Sequence, residues 1–193
     1  MFAFFAGLAA GLLHVFSGPD HLAAVAPLAA DSDRGRWRTG LQWGIGHTIG
    51  VLLIASLLLL VREQLPLEAI SAYSERLVGI ALILVGAWGV WKASRSGLKP
   101  HSHAGASFGM GALHGLAGSS HLFGVLPALA FATRIEAALY LAGFGAGAIA
   151  GMAAFSAAMG LLSSRLSHRH SSGLLYASSA AALVVGGFWL VGQ

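Results

Sequence analysis

Six long apolar segments alternate with short polar stretches along this chain of 193 residues. Each segment is long enough to cross a hydrocarbon core of about 30 Å at a rise of about 1.5 Å per residue. The segments lack the period-two alternation of half-buried strands, and open sheets cannot cross lipid. The pattern therefore predicts an all-α membrane protein with six transmembrane helices, near residues 2–30, 39–61, 71–92, 105–131, 134–163 and 171–192.

The first and fourth segments are longer than one crossing requires, and each carries helix-breaking residues near its middle. Gly18-Pro19 interrupts the first segment, and Gly118-Ser119-Ser120 interrupts the fourth. Each segment is either a tilted single helix or two half-helices with an irregular joint. Proline removes a backbone donor and Ser17 is placed to cap a second half-helix, so we expect both segments to be broken at mid-membrane.

The two halves of the chain share a pattern at an offset of 100 to 101 residues. His14 and His21 recur as His114 and His121, and glycines of the second and third segments recur in the fifth and sixth. Chance likeness between small-residue helices is the alternative, but a shared offset at three places disfavours it. Since each half holds three spans, the second half enters from the opposite side. We therefore predict a single transmembrane domain, 1–193, built from two inverted three-helix repeats, 1–95 and 105–193.

Positive charge is distributed unequally between the two sets of loops. The loops at 31–38, 92–104 and 164–170 hold eight Lys or Arg residues, whereas Arg62, Arg76 and Arg134 are the three on the other side. The positive-inside rule then places the first set in the cytoplasm and both termini outside. The first residues lack a basic region, which argues against a cleaved signal peptide. We expect an integral protein of a bacterial inner (plasma) membrane.

Composition narrows the classes of partner. Hydrophobic residues make up 56% of the chain and charged residues 9%, against about 25% charged in soluble domains. The lipid bilayer is therefore an expected partner, and the net charge of +4 is too small to suggest nucleic acid. With no cysteine, disulfides and thiolate metal sites are excluded. A homo-oligomer is compatible with the sequence, and no permanent cofactor is expected.

Five histidines lie within the predicted spans, two of them beside an acid in the broken first segment. An ionised Asp at the centre of a membrane helix costs about 2.5–3.5 kcal/mol, so a bound cation or a histidine partner is expected. Imidazole with carboxylate suits Ni²⁺, Co²⁺ or Zn²⁺. The alternative is that the histidines only join helices by hydrogen bonds. We predict a primary metal site at His14, Asp20, His21 and His47, with His114 and His121 forming a second site or completing the first.

Other histidines and other functions are weaker candidates. The loop pairs His101/His103 and His168/His170 could collect metal ions, but such pairs are more often polar loop residues. A zinc protease would need His-Glu-x-x-His, which the chain lacks. Gly118-Ser119-Ser120-His121 could suggest a serine hydrolase, yet it replaces Gly18-Pro19-Asp20-His21 in the repeat. We expect no enzyme, no catalytic residues and no cofactor-binding residues; a proton-coupled transporter of an anion or small metabolite stays open.

The motifs resemble those of a known family. Gly18-Pro19-Asp20-His21-Leu22 and Gly46-His47-Thr48 make the chain similar to the nickel/cobalt transporter superfamily, in a small branch resembling UreH-type urease accessory membrane proteins. The resemblance implies a nickel or cobalt permease with a His/Asp site in its broken first helix. It implies that His14, Asp20 and His21 match the first motif of the family, and that His47 matches the histidine of its Gly-His motif.

Overall fold

A computed structural model describes residues 1–31, 36–61, 67–95, 103–117 and 124–191. In these ranges the protein is helical and has no strand, which confirms the all-α class. The helices are α1 (Phe2–Ser17), α2 (Pro19–Ala30), α3 (Trp37–Val61), α4 (Leu67–Ala93), α5 (Ala104–Leu116), a 3-10 helix (Leu126–Ala130), α6 (Arg134–Arg165) and α7 (His168–Val191).

Three helices of the described part are long and apolar enough to cross a membrane: the Arg76–Ala93 part of α4, α6, and the His170–Val191 part of α7. The bent pair α1–α2 makes a fourth crossing if it is counted as one span. The outer faces carry exposed apolar side chains, such as Leu84, Val184 and Phe188, as lipid-facing helices do. The apolar helices thus place the protein in a membrane, with three to four spans among the described residues.

The break in the first segment lies at Gly18, where α1 and α2 meet at an angle of 74°. Gly18 is extended (φ −90°, ψ 103°), and Pro19 begins α2 at a position where its missing N–H is harmless. The expected Ser17 cap is wrong. The Ser17 hydroxyl donates back to the carbonyl of His14 at 3.2 Å, and α2 has no side-chain cap. The residues expected to break the fourth segment, Gly118-Ser119-Ser120, lie outside the described ranges, and α5 ends at Leu116 after 13 residues.

Helices α1 and α6 run parallel in close contact. Gly7 faces the backbone between Tyr140 and Phe144, and Gly11 faces the backbone one turn further on, between Phe144 and Ala148. A Cβ at either glycine would collide with these backbone atoms. The two helices therefore approach closely because glycine is present, as in small-residue packing of membrane helices.

Helices α3 and α5 form a second parallel pair of the same kind. Gly111 of α5 faces the backbone between Trp43 and His47 of α3, and Gly115 faces the backbone between His47 and Val51. A Cβ at Gly111 or Gly115 would again meet backbone atoms. His47, one of the predicted ligands, is consequently held at a helix crossing whose separation is set by glycines.

The two pairs run in opposite directions. Gly40 of α3 faces Met152 of α6, whereas the Thr48 hydroxyl, further along α3, donates to the carbonyl of Gly145, earlier in α6. Since residue numbers rise in one helix and fall in the other, α3 and α6 are antiparallel. Helices α1 and α6 therefore run one way, and α3 and α5 run the other way.

Helices α4 and α7 form an antiparallel pair. Gly79 lies against Gly186, and Gly86, later in α4, lies against Ser179, earlier in α7. Helix α2 packs on α4, α6 and α7, and ten of its 12 residues are buried. The main apolar core joins α1, α2, α3, α4, α6 and α7 around Val25, Trp43, Leu82 and Met152. This enclosure fixes the half-helix that carries Asp20 and His21.

Candidate metal centre

Three imidazoles from three helices meet beside the break. His14 lies in the last turn of α1, His21 in the first turn of α2, and His47 in the middle of α3. One nitrogen from each ring lies within 4.8 Å of the others. The ring centroids of His14 and His21 are 4.7 Å apart, those of His21 and His47 are 5.1 Å apart, and those of His14 and His47 are 5.6 Å apart. Three nitrogens at this separation can converge on one metal ion after small side-chain adjustments.

The bend at Gly18 brings His14 and His21 together. On a continuous helix, seven residues would separate them by about 10.5 Å along the axis, at about 1.5 Å per residue. The 74° bend instead brings their rings into edge-to-face contact. The helix break is thus the local feature that makes a chelating pair from two distant positions.

Asp20 joins two histidines rather than lying inside the trio. One carboxylate oxygen is 3.2 Å from Nδ1 of His21, and the other is 3.4 Å from Nε2 of His114. Asp20 and both rings are buried. A carboxylate that contacts a ligating imidazole fixes the orientation of the ring and raises its basicity, as in many carboxylate–histidine–metal arrangements. Helix α5 therefore contributes to the site through His114, whose ring contacts Asp20 of α2.

The structure brings together five of the six residues predicted as metal ligands, and the sixth, His121, lies outside the described residues. His14, His21 and His47 form the trio, Asp20 contacts its edge, and His114 contacts Asp20. The ligand assignment itself stays a prediction.

Trp43 forms one wall of the site, although it was not among the residues that the sequence selected. Its ring stacks on His47, with centroids 4.8 Å apart and planes at 13°, and its centroid lies 5.3 Å from that of His21 and 5.5 Å from that of His114. The side chain is fully buried, and its indole N–H has no hydrogen-bond partner among the described residues. The available signal was the four-residue spacing from His47, which puts both on one helix face.

A cavity of about 580 Å³ reaches His14 and His21 of the trio from one side. His14, Ser17, Asp20 and His21 lie on its wall, whereas its far wall includes residues from the start of α6 and the end of α7. On that wall the Tyr140 hydroxyl donates to the carbonyl of Gly124 at 2.9 Å. A small ion or molecule entering from this end of the bundle meets the break in the first segment directly.

The histidines predicted to lie in loops have separate surroundings, and His168 and His170 lie in the first turn of α7. His103 precedes α5 and contacts Asp31, whereas Nδ1 of His170 lies 2.7 Å from the hydroxyl of Ser167. His101 and the side chain of His168 lie outside the described residues. Neither His103 nor His170 contributes to the trio.

Comparison with known proteins finds three relatives with similar sequences. Over 152 residues the chain is 38% identical to Chloroplast protein FOR GROWTH AND FERTILITY 2 of Arabidopsis thaliana, covering 70% of this chain and 41% of that protein. It is 34% identical to Chloroplast protein FOR GROWTH AND FERTILITY 1 of the same plant, covering 70% of this chain and 43% of that protein. The chain thus spans about two fifths of the length of these relatives.

The third relative is the Urease accessory protein UreH of Bacillus sp. (strain TB-90), 30% identical over an alignment of 135 residues that covers 59% of this chain and 57% of that protein. No family model matches the chain, and no solved structure matches it. The similarity to UreH supports the resemblance drawn from the motifs as a distant relationship. Two relatives are named as chloroplast proteins and one comes from a Bacillus strain, so these relatives do not support a bacterial inner membrane for this chain.

Proposed function

We propose that the protein transports a divalent transition-metal cation across a membrane, with nickel or cobalt as the cargo. The observation that carries this proposal is the trio of His14, His21 and His47 at a helix break that faces a cavity, with His21 and His47 buried and His14 partly exposed. Imidazole nitrogens are good ligands for both metals. The distant similarity to UreH and the family resemblance of the Gly-Pro-Asp-His motif support the same function.

In this proposal the three imidazoles hold the cargo, and Asp20 supplies charge. Its carboxylate contacts His21 and His114, so it orients one ligand and offsets part of the charge of the cation. The ligands have to be unprotonated, so binding releases protons and weakens in acid. The ion is cargo and not a resident cofactor, and we assign the protein no enzymatic activity.

We further propose six spans arranged as two inverted three-helix repeats, as in many secondary transporters. Supporting contacts recur between the halves. Gly11 faces the backbone at Phe144 and Ala148, and Gly111 faces the backbone at Trp43 and His47. These two contacts exchange under an offset of 100 to 101 residues, with Trp43 matching Phe144 and His47 matching Ala148.

A second pair of contacts obeys the same exchange. Gly46 faces the backbone at Phe108 and Ala112, whereas Gly147 faces the backbone at Leu8 and Leu12. Helix directions supply the inversion: α1 is antiparallel to α5, α3 to α6, and α4 to α7. Each helix thus opposes its counterpart one repeat later, which is the relation an inverted repeat requires.

Orientation follows from the same directions and from charge. The start of α3 and the ends of α4 and α6 lie at one end of the bundle, with Arg36, Arg38, Lys92, Arg95 and Arg165. We call this the charge-rich end. By the positive-inside rule we propose that it faces the cytoplasm, or the equivalent compartment of an organelle, and that the cavity and Met1 face the other side.

A second candidate is a proton-coupled transporter of an anion or small metabolite. The buried indole N–H of Trp43, which has no acceptor among the described residues, favours it. Protonated imidazoles together with this N–H would present donors to an anion. The hydrolase alternative depends on Ser119, Ser120 and His121, which lie outside the described residues.

Purified protein in liposomes tests both candidates. Internal metal is recorded after exposure to Ni²⁺, Co²⁺, Zn²⁺, Mn²⁺ or Fe²⁺, with His21→Ala as the inactive variant and His170→Ala as the matched control outside the site. We expect Ni²⁺ or Co²⁺ flux that His21→Ala abolishes and His170→Ala preserves. Equal flux through empty liposomes, or full flux through His21→Ala, would reject metal transport by this site. Anion-dependent proton movement without metal flux would select the second candidate.

A further inference from the structure

The trio is open toward one end of the bundle and closed toward the other. The cavity wall includes Tyr140, early in α6, and Trp189, near the end of α7. Both positions lie at the end opposite to the charge-rich end. Toward the charge-rich end, the side chains of α2 that follow His21, including Ala24, Val25 and Leu28, are buried. A cation held by the trio therefore has an open route on one side and packed protein on the other.

A buried cluster of charged side chains lies at the charge-rich end. Oδ2 of Asp31, just after α2, is 2.6 Å from Nζ of Lys92 in the last turn of α4 and 2.7 Å from Nε2 of His103, just before α5. Asp31 and Lys92 are each only 7% exposed. The ring of Trp88 completes the cluster: Lys92 Nζ lies 5.4 Å from its centroid and the His103 ring lies 4.8 Å from it. The ends of three helices are thus joined through one carboxylate oxygen.

This cluster is poorly explained as a stabilising device. Two charges removed from water lose much of their hydration, and their attraction often only compensates for that loss. A buried carboxylate in a membrane protein more often marks an ion pathway. Asp31 follows His21 by ten residues, about 15 Å along α2 at about 1.5 Å per residue. The same half-helix therefore carries a trio ligand at one end and this carboxylate just beyond the other.

We infer that Asp31, Lys92 and His103 form the closed gate of the pathway at the charge-rich end, and that the cargo cation passes by binding Asp31 and His103 in place of the Lys92 ammonium. The ammonium is then a tethered cation that neutralises Asp31 while the gate is shut. Gly18, at the other end of α2, is the extended residue that joins this half-helix to α1. The identity of the cargo rests on the proposed function, whereas the closed gate rests on the contacts alone.

Thiol labelling tests the gate without any cargo, because the chain contains no cysteine of its own. Ser107→Cys is the reporter behind the gate: Ser107 is fully buried one turn into α5 from His103, and its N–H bonds the His103 carbonyl at 2.8 Å. Ser17→Cys, exposed on the cavity wall, is the reporter for the open side. Each is labelled in liposomes by a membrane-impermeant thiol reagent applied to one side at a time.

Lys92→Gln opens the gate by removing the ammonium. We expect it to speed labelling of Ser107→Cys from the charge-rich side at least about tenfold. The labelling rate follows the population of the open gate, which rises when the free energy that favours the closed gate falls. Arg95→Gln is the matched control, because Arg95 is an exposed cation at the same helix end, stacked on Trp91. It should leave the rate within about twofold. Labelling of Ser17→Cys should keep its parental rate in both. Equal Ser107→Cys rates in Lys92→Gln and Arg95→Gln overturn the gate.

General loosening of the fold is separated by a second variant. If Lys92→Gln also changes labelling at Ser17→Cys, the double variant Asp31→Asn with Lys92→Gln removes both buried charges and decides the case. Fast labelling of Ser107→Cys with parental labelling of Ser17→Cys supports the gate, and any other pattern overturns it.

The role of Asp31 toward the cation has its own measurement. In Asp31→Asn we expect Ni²⁺ flux to fall at least about tenfold while Ni²⁺ affinity, measured by titration, stays parental, because the trio is intact. Parental flux in Asp31→Asn overturns the role of Asp31. If the parental protein carries no divalent ion, the proposed function fails, and the thiol labelling still decides the gate.

Discussion

The α1–α6 and α3–α5 crossings use the same backbone contacts but carry different side chains. Gly11 of α1 packs on α6 between Phe144 and Ala148, and Gly111 of α5 packs on α3 at the corresponding residues, Trp43 and His47. Alanine in one crossing and histidine in the other are accommodated by the same glycine spacing. The glycines therefore set the helix separation in both crossings, whereas the predicted ligand His47 occupies a position that holds Ala148 in the other crossing.

The largest expected effect on metal binding comes from replacing His47 with alanine, the residue at the equivalent position of the other crossing. Alanine at this position copies Ala148 of the other crossing, so the fold should tolerate it. We expect His47→Ala to weaken Ni²⁺ binding by more than about a hundredfold, because a direct ligand contributes more than the surrounding groups do. On the same preparation, calorimetric titration measures the Ni²⁺ affinity and thermal unfolding measures the stability of the fold. Parental affinity would show that the trio is not the metal site.

A smaller effect is expected at the carboxylate that links His21 to His114. Asp20→Asn keeps the size of the side chain but removes its charge, so His21 loses its ionic partner. We expect metal affinity to fall about tenfold to a hundredfold, as for other groups that orient ligands. The control is Glu136→Gln, an exposed acid in the first turn of α6. A loss larger than that of His47→Ala would instead assign Asp20 as a direct ligand.

Alanine at the two equivalent glycines tests whether the crossings are equally tight. A Cβ at Gly11 or Gly111 would meet a backbone oxygen, so Gly11→Ala and Gly111→Ala should each cost about 1–3 kcal/mol of stability. Gly109→Ala, where a Cβ has open space, should change stability by less than about 0.5 kcal/mol. Denaturant unfolding in detergent compares the three. A harmless Gly111→Ala would contradict the close contact between α3 and α5.

The smallest expected effect concerns the aromatic wall. Trp43→Phe copies Phe144 of the other crossing and keeps an apolar ring against His47. We expect metal affinity to fall less than about tenfold, since no ligand is removed and stacked rings contribute about 0.5–1.5 kcal/mol. Anion binding, in the alternative function, would suffer more, because the indole N–H is lost. Titrating the same variant with Ni²⁺ and with a panel of anions distinguishes the two.

Local sequence features determined much of this protein. The long apolar segments predicted helices because lipid leaves few other ways to satisfy backbone hydrogen bonds, and Gly18-Pro19 predicted the break because proline removes a donor. The repeated histidine spacing selected His14, His21 and His114, and the presence of an acid and a further histidine within apolar segments selected Asp20 and His47. The helices and the break could be predicted because they depend on the residues within a single segment and on its contact with lipid.

Tertiary structure alone decided how those residues meet. The 74° bend at Gly18 brought His14 beside His21, and the α3–α5 crossing brought His114 to the carboxylate of Asp20. The same crossings enclosed Trp43 and turned the loop residue His103 toward Asp31. Apart from the break at Gly18-Pro19 and the four-residue spacing of Trp43 and His47, these contacts have no signature along the chain, because they depend on the separation and rotation of helices. That geometry follows from close packing at the glycines. A methyl group added at one of these glycines would push the two helices apart and separate the side chains that share the site.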